Sequence, residues 1–401
     1  MNRRPFRKNP TGTGQQTGAV VVGGDYQGLG IVRSLGRYGV PVTVLDDERS
    51  ISRVSRYVTR HERVPELRDA DETVRILIDA CKRLGLQGSV LYPTREETVA
   101  AIAANREELS QYYKLPTPAW EAVQPAWDKR ETYQRAERLG IPIPRCWFPE
   151  SFADLDQIDL SSPVILKPAI KENFFYETRA KAWRVDTRAE LEAAYRKAVS
   201  IVGAAEVIVQ ELVPGGGDRQ FGFCAFFKDG EAVAEMTVRR LRQHPSDFGR
   251  ASTFVETIEL PELAKYSLTF LRDIGYYGLV ELEYKQDERD GQYKLLDVNA
   301  RTWGYHSLGY TAGADFPYLV YRDQLGLPVT ECQARAGVRW LRLATDLPNA
   351  VLDIKAGKLK LGPYLKTFRG VQTEAVFSLK DPLPGLYEVA LLPYLFFKRG
   401  L

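Results

Sequence analysis

The stretch Gly278-Leu279-Val280-Glu281-Leu282-Glu283-Tyr284-Lys285, the polar run Gln286-Asp287-Glu288-Arg289-Asp290-Gly291-Gln292 and the following Tyr293-Lys294-Leu295-Leu296-Asp297-Val298-Asn299-Ala300-Arg301 decide how this chain folds. Apolar and charged residues alternate in the first segment and the second resumes the pattern, which predicts two strands joined by a polar loop. If the hairpin closes around Asp290, Glu283 stands opposite Asp297 on one face, with Cβ atoms about 5 Å apart. Two facing carboxylates repel and need compensation. A divalent cation drawn to hard oxygen ligands supplies it, with Asn299 two residues on sharing the face. Glu283, Asp297 and Asn299 are therefore candidate Mg²⁺ ligands, since Mg²⁺ takes one or two carboxylates and completes its octahedron from water and phosphate oxygens. A solvated acidic strand face is the competing reading.

Towards the N-terminus, an apolar run at 19–22 leads into Gly23-Gly24-Asp25-Tyr26-Gln27-Gly28-Leu29-Gly30, a helical pattern through Leu35 and a second apolar run at 41–45 closed by Asp46-Asp47. Strand, glycine turn, helix and strand make a βαβ unit, hence a parallel sheet with a right-handed crossover. The glycines match neither the dinucleotide fingerprint nor a P-loop, where Leu29 would have to be Lys, so a tight turn is the favoured role. Gly24 is kept as a substrate-contact candidate and Asp46 as a candidate ribose ligand. Three prolines in 112–125 read as a connector. Asp128 is a good N-cap for a helix that Gly140 stops. Strands follow at 164–167, 207–212, 222–227 and 232–238, the last two joined by an Asp229-Gly230 turn.

At 401 residues the chain has room for two or three domains. A net charge of +3 is too balanced to argue for a nucleic-acid surface. The 44% hydrophobic and 27% charged fractions are those of a globular protein. Cys81, Cys146, Cys224 and Cys332 lie far apart and His61, His244 and His306 are isolated, so any metal is expected on oxygen ligands and the compartment is expected to be the reducing cytoplasm. Residues 1–18 lack the apolar core of a secretory signal and read as a disordered tail. The apolar run at 389–397 is too short for a membrane span and is expected to pack on the core. No membrane partner is expected.

The Asp-x-Asn-x-Arg strand end, with an acid on the preceding strand, resembles the magnesium site of the ATP-grasp superfamily. Three more features fall in that superfamily's order. Asp128-Lys129 resembles the pair whose lysine approaches the nucleotide phosphates, and Val164-Ile165-Leu166-Lys167-Pro168 resembles the strand whose lysine contacts the α-phosphate side. Val209-Gln210-Glu211-Leu212-Val213-Pro214-Gly215 resembles the segment that meets adenine, and Asp218 the nearby acid that holds ribose. The chain is most similar to the predicted carboxylate–amine ligases related to D-aspartate ligase and the carbamoyl-phosphate synthase large chain.

The resemblance implies an α/β architecture: a Rossmann-like parallel-sheet domain over 19–125, then a two-lobed α+β ATP-grasp domain over 126–330 with a lid at about 163–215, and a C-terminal extension, 331–401, packed on the core. It implies an ADP-forming ligase that activates a small carboxylate as an acyl phosphate for attack by an amine. Its cofactors would be ATP and one or two Mg²⁺, with Mn²⁺ as a substitute, and a homodimer is an open assembly. Arg301 and Lys181 would stabilise the transferring phosphoryl, Lys129, Lys167, Gln210, Glu211, Leu212, Val213 and Asp218 would bind ATP, and Arg240, Arg242, His306 and Gly24 are substrate-binding candidates. The chain departs from the superfamily between the two lid strands. There a glycine-rich phosphate loop is replaced by the bulky Ala169-Ile170-Lys171-Glu172-Asn173-Phe174-Phe175-Tyr176-Glu177. A bicarbonate-using carboxylase and a non-catalytic ATP sensor are the rival functions.

Overall fold

The computed structural model describes residues 16–244 and 251–399, so most of the expected N-terminal tail lies outside the described residues. The first layer is a parallel sheet of β1 (Ala19–Val22), β2 (Val42–Asp46), β3 (Arg60–Arg63) and β4 (Val90–Pro93) in the order β3-β2-β1-β4. The strands β1, β2 and β4 are buried throughout, as their unbroken apolar spelling requires of strands covered on both faces. α1 (Tyr26–Gly36) crosses from β1 to β2, and α2 (Ala70–Leu84) leads into β4, which α3 (Glu96–Ala104) and the short α4 (Arg106–Ser110) follow.

The proline-rich connector contains a helix, α5 (Trp120–Trp127), with Pro125 inside it. Burial of Val123 against Val99 and Ala103 offsets the one backbone hydrogen bond that Pro125 removes from a two-turn helix. Asp128 then caps α6 (Lys129–Arg138), its carboxylate accepting from the Arg130 amide.

The second layer is a four-stranded antiparallel sheet of β5 (Cys146–Trp147), β6 (Val164–Pro168), β7 (Trp183–Val185) and β8 (Val207–Glu211), ordered β5-β8-β6-β7. Between β6 and β7 the expected bulky loop is a helix, α7 (Lys171–Thr178). Phe174 explains it, because its fully buried ring packs 4.6 Å from Trp183 and pins the turn to the sheet. α8 (Arg188–Val202), opened by a Thr187/Glu190 capping box, lays Leu191 and Tyr195 over the same core.

The third layer is an eight-stranded sheet. Its strands are β9 (Gln220–Lys228), β10 (Glu231–His244), β11 (Ala251–Ile258), β12 (Gly278–Gln286), β13 (Tyr293–Asn299), β14 (Cys332–Gln333), β15 (Arg339–Leu341) and β16 (Val371–Glu374). The order is β13-β12-β9-β10-β11-β15-β16, with β14 beside β10. α9 (Pro261–Asp273) lies between β11 and β12, and α10 (Ser307–Ala312) and α11 (Phe316–Gln324) follow β13. α12 (Leu343–Lys355) and α13 (Leu361–Thr367) separate β15 from β16, and α14 (Leu383–Arg399) ends the described chain. The residues after 331 thus add hydrogen-bonded strands to the central sheet as well as packing on it.

One buried ion pair ties the C-terminal segment to the first layer. Arg33 of α1 donates to Asp381 (2.9 Å), which also accepts from the Ser55 hydroxyl (2.7 Å) and the Arg56 amide (2.9 Å). Removing one member of such a pair leaves a charge stranded in a low-dielectric interior. Asp381→Ala should therefore lower stability by about 3 kcal/mol in chemical denaturation; a change within the usual scatter of surface substitutions would show that the pair does not clamp the two parts.

Candidate active site

The β12–β13 ladder has the register the sequence requires: Glu283 pairs with Asp297 and Glu281 with Asn299. A bulge after Glu283 admits Leu296 as an extra residue without disturbing this end of the hairpin. The alternation that placed Glu283 on the active face places Glu281 there too, and it is the residue that sequence reasoning left out. Glu281 is buried and accepts a short hydrogen bond from the Tyr305 hydroxyl. Gly222 of the neighbouring β9 makes room for that pair, since a Cβ there would lie 2.4 Å from the Tyr305 oxygen. Burial, and then the Glu283 carboxylate, push Glu281 up to about 7.

The repulsion between carboxylates is met by protein cations. Lys129, at the first position of α6, pairs with Asp297 (2.7 Å), and Arg240 of β10 pairs with Glu283 (2.7 Å). Asn299 donates to both Glu281 and Glu283 (3.1 Å each) and accepts from Arg301 (3.0 Å), so its amide holds the two glutamates together. Arg301 in turn donates to Glu96 at the start of α3 (2.8 Å), which anchors the site to the first layer. Of the basic run on β10, Arg240 faces the carboxylates and is nearly buried. Arg242 faces elsewhere: it grips Asp346 with two bonds (2.9 and 2.8 Å) between the rings of Phe254 and Tyr364, a packing role in place of the expected substrate contact.

Lys167 on β6 reaches the same place from the second layer. Its ammonium donates to the Tyr133 hydroxyl (2.5 Å) and the Gln210 side chain (2.9 Å), and Tyr133 passes a hydrogen bond to the Leu296 carbonyl (2.6 Å). Glu211 is engaged by Lys294 (2.7 Å) and Arg289 (3.0 Å), which fasten β8 to the hairpin. Along the segment that follows, the Leu212 amide donates to the Pro163 carbonyl and the Val213 carbonyl accepts from Lys285. Asp218 is exposed in a 3₁₀ turn, and Lys181 is half-buried just before β7.

Two expected contacts belong to packing. His306 is buried under α1, where a Cβ on Gly30 would fall 2.4 Å from its Nε2; its Nδ1 meets the Trp303 carbonyl (2.9 Å), and burial pushes it down to about 4. In the glycine turn the Gly24 amide donates to Asp46 and the Tyr26 amide to Asp25. The Asp25 carboxylate caps α1, and Asp46, the candidate ribose ligand, accepts from the Gly24 amide (2.6 Å) and Arg95 (3.0 Å).

Beside the glycine turn opens a cavity of about 720 Å³, lined among others by Asp25, Gln27, Arg95, Tyr176, Arg342 and Glu388. Tyr176, carried by α7, donates to Glu97 (2.9 Å) and lies under Arg68, so the helix in place of a glycine loop closes one side of this cavity. Gln27, at the cavity wall, also donates to the Thr302 carbonyl, next to Arg301.

The donor set suits Mg²⁺: carboxylates facing at ladder distance, an amide between them, and buried cations placed to take phosphate oxygens. Among the described residues no cluster of three His, Cys, Asp or Glu side chains is arranged to hold a metal alone.

No family model matches the chain. A D-aspartate ligase of Enterococcus faecium is 26% identical over 210 residues, which is 50% of this chain and 50% of that protein. The chain thus aligns with about half the length of this curated relative. An L-amino acid ligase from Bacillus licheniformis superposes with a TM-score of 0.61 at 18% identity, over 82% of this chain and 79% of that one. The biotin carboxylase domain of the Hydrogenobacter thermophilus 2-oxoglutarate carboxylase gives 0.64 at 16%, over 81% and 74%. The ADP complex of N5-carboxyaminoimidazole synthetase from Staphylococcus aureus gives 0.60 at 13%, over 83% and 82%. At these identities the structural likeness shows the fold.

Burial holds the Lys167 ammonium down to about 8, below its ordinary 10.5. A base with a depressed folded value binds fewer protons folded than unfolded between about pH 8 and 10.5, so its penalty on stability is fully present below that window and fades as pH rises through it. An anion placed against Lys167 restores the charged form. Nucleotide binding near pH 8.5 should therefore take up a fraction of a proton, read by calorimetry in buffers of different ionisation enthalpy, and the uptake should vanish at pH 6.5 and in Lys167→Met. Equal uptake in the wild type and Lys167→Met would remove Lys167 from the phosphate site.

Proposed function

We propose that this chain, which has the ATP-grasp fold of those ligases, is an ADP-forming ligase that phosphorylates a small organic carboxylate and joins it to an amine. The observation that carries this reading is the hairpin register, which sets Glu283 against Asp297 with Asn299 and Arg301 beyond and with Lys129 and Lys167 converging on them. Glu283, Asp297 and Asn299 would hold one or two Mg²⁺. Bound there, the ion would shield the negative charge of the phosphates during transfer.

Lys129 pairs with Asp297. Nucleotide binding would free it to turn to the phosphates, with Lys167 on their other side and Lys181 nearby on the lid. The stretch Gln210, Glu211, Leu212 and Val213 would border adenine, and Asp218 the ribose. Arg301, aimed by Glu96 and Asn299, would stabilise the transferring phosphoryl group as the substrate carboxylate attacks the γ-phosphorus in line, releasing ADP and leaving an acyl phosphate. An amine then adds to the activated carbonyl and phosphate departs. The second-layer sheet, with α7, acts as the lid that keeps water from this intermediate. Gly24 and Arg240 would help to set the shape and charge of the acceptor region.

The size of the cavity favours an organic acid over bicarbonate, which would leave most of about 720 Å³ unfilled. ADP release with paired amino and sugar acids is the direct test. Turnover should require both a carboxylate and an amine, whereas stimulation by bicarbonate alone would overturn the amide reading, and no release with any pair would favour a sensor. Asp297→Ala should cut turnover by at least about a hundredfold while changing stability by about 1 kcal/mol or less, because the Lys129–Asp297 pair is partly exposed. Retained turnover in that variant would sink the metal assignment.

A further inference from the structure

Among the described residues, every large apolar side chain left exposed lies between Leu347 and Leu392, except Phe152, Tyr176 and Tyr310. These side chains come from α12, α13, α14 and the segment entering α14. Leu352, Leu361, Leu365, Leu383 and Leu386 are each more than half exposed, and Leu379 is wholly so. An apolar concentration of this kind on one part of a surface marks an interaction site.

Over the same stretch the charges are sorted by sign. Lys355, Lys358, Lys360, Lys366, Arg369 and Lys380 are all exposed. The acids turn inward: Asp346 to Arg242, Asp381 to Arg33 and Glu388 to Arg342. Glu374 accepts from the Leu343 and Val376 amides, and half-buried Asp353 accepts from Asn349. The Arg342–Glu388 pair ties the start of α12 to α14.

We propose that this face seats on an anionic phospholipid surface, with its leucines in the headgroup boundary and its lysines against lipid phosphates. Apolar side chains rimmed by exposed lysine and arginine, with the acids of the same stretch engaged by partners and none of them fully exposed among the described residues, are what an interfacial helix needs. The face lies on a membrane and does not cross it. α14 has 17 residues interrupted by Pro393, and no helix among the described residues is long and apolar enough to span. A second copy of this chain is the poorer occupant, because a two-fold contact sets like patches together and would bring the lysines of two copies face to face. α14 also contributes Leu391 and Tyr394 to the large cavity, so docking would place that cavity beside the surface.

The test uses the full chain and co-sedimentation with vesicles of phosphatidylcholine alone or mixed with phosphatidylglycerol, at low and high salt. The protein should bind the anionic vesicles, and salt should release it. Each lysine near such a surface is worth about fivefold in partitioning, so Lys355→Glu/Lys358→Glu/Lys360→Glu should weaken binding by about a hundredfold. Leu383→Ser/Leu386→Ser should abolish it with an unchanged thermal melt. Binding indifferent to lipid charge, or no binding at all, would overturn the proposal. So would a salt-insensitive dimer in light scattering that Leu383→Ser/Leu386→Ser dissociates without any vesicle affinity. The measurement needs no ATP, so its outcome is independent of whether the chain releases ADP.

Discussion

Two carboxylates held opposite each other across an antiparallel ladder, with a third one pleat away, set the terms for everything built around them. The ladder spacing sets Glu283 and Asp297 opposite each other, so that their repulsion calls for cations in reach, and Glu281 adds to the load from a buried position. The chain answers from three directions: Lys129 from the head of α6, Arg240 from β10 and Arg301 from the strand end, while Asn299 donates to both glutamates. Each of these is held by another layer. Glu96 of the first layer fixes Arg301, and the Tyr133 hydroxyl links Lys167 of the second layer to the backbone of β13.

This interdependence explains what could be seen in the sequence. The hairpin register was legible because period-two alternation and a polar loop of known length leave few ways to pair the strands. The βαβ opening was legible for the same kind of reason. The Asp128 cap was legible as a purely local signal, whereas Lys129 was singled out only by the superfamily resemblance. What could not be read were directions set by other layers. Arg240 and Arg242 share one strand and one face by spacing, yet the first meets Glu283 and the second Asp346, because register shifts at 240–242 turn the strand. His306 follows Tyr305 in sequence, and only the packing of α10 against Gly30 decides which of the two reaches the carboxylates. The helix at α7 was hidden because its ordering depends on Phe174 meeting Trp183 across the second layer.

The C-terminal segment shows how a stretch without motifs can bear on the site. Its strands extend the central sheet, Asp381 holds α1, and Glu388 holds Arg342 at the edge of the cavity. The same inward turn of every acid leaves its outer surface apolar and basic. The surface character follows from where the carboxylates are needed inside.

The ion pairs of the candidate site also bear on how the proposed nucleotide could enter at modest cost. Separating Lys129 from Asp297 takes from each an ion-pair partner at 2.7 Å. A metal–triphosphate supplies both partners in one event, with a cation for Asp297 and an anion for Lys129. Lys167 gains an anion where it now has only a hydroxyl and an amide. Every charge that loses a partner would thus acquire one of the same sign as before, and the barrier to entry would lie in rearranging the lid and not in desolvating bare charges. An arrangement that kept its carboxylates fully solvated would gain nothing from such an exchange, so the counter-cations support the proposed nucleotide site beside the hairpin register that carries it.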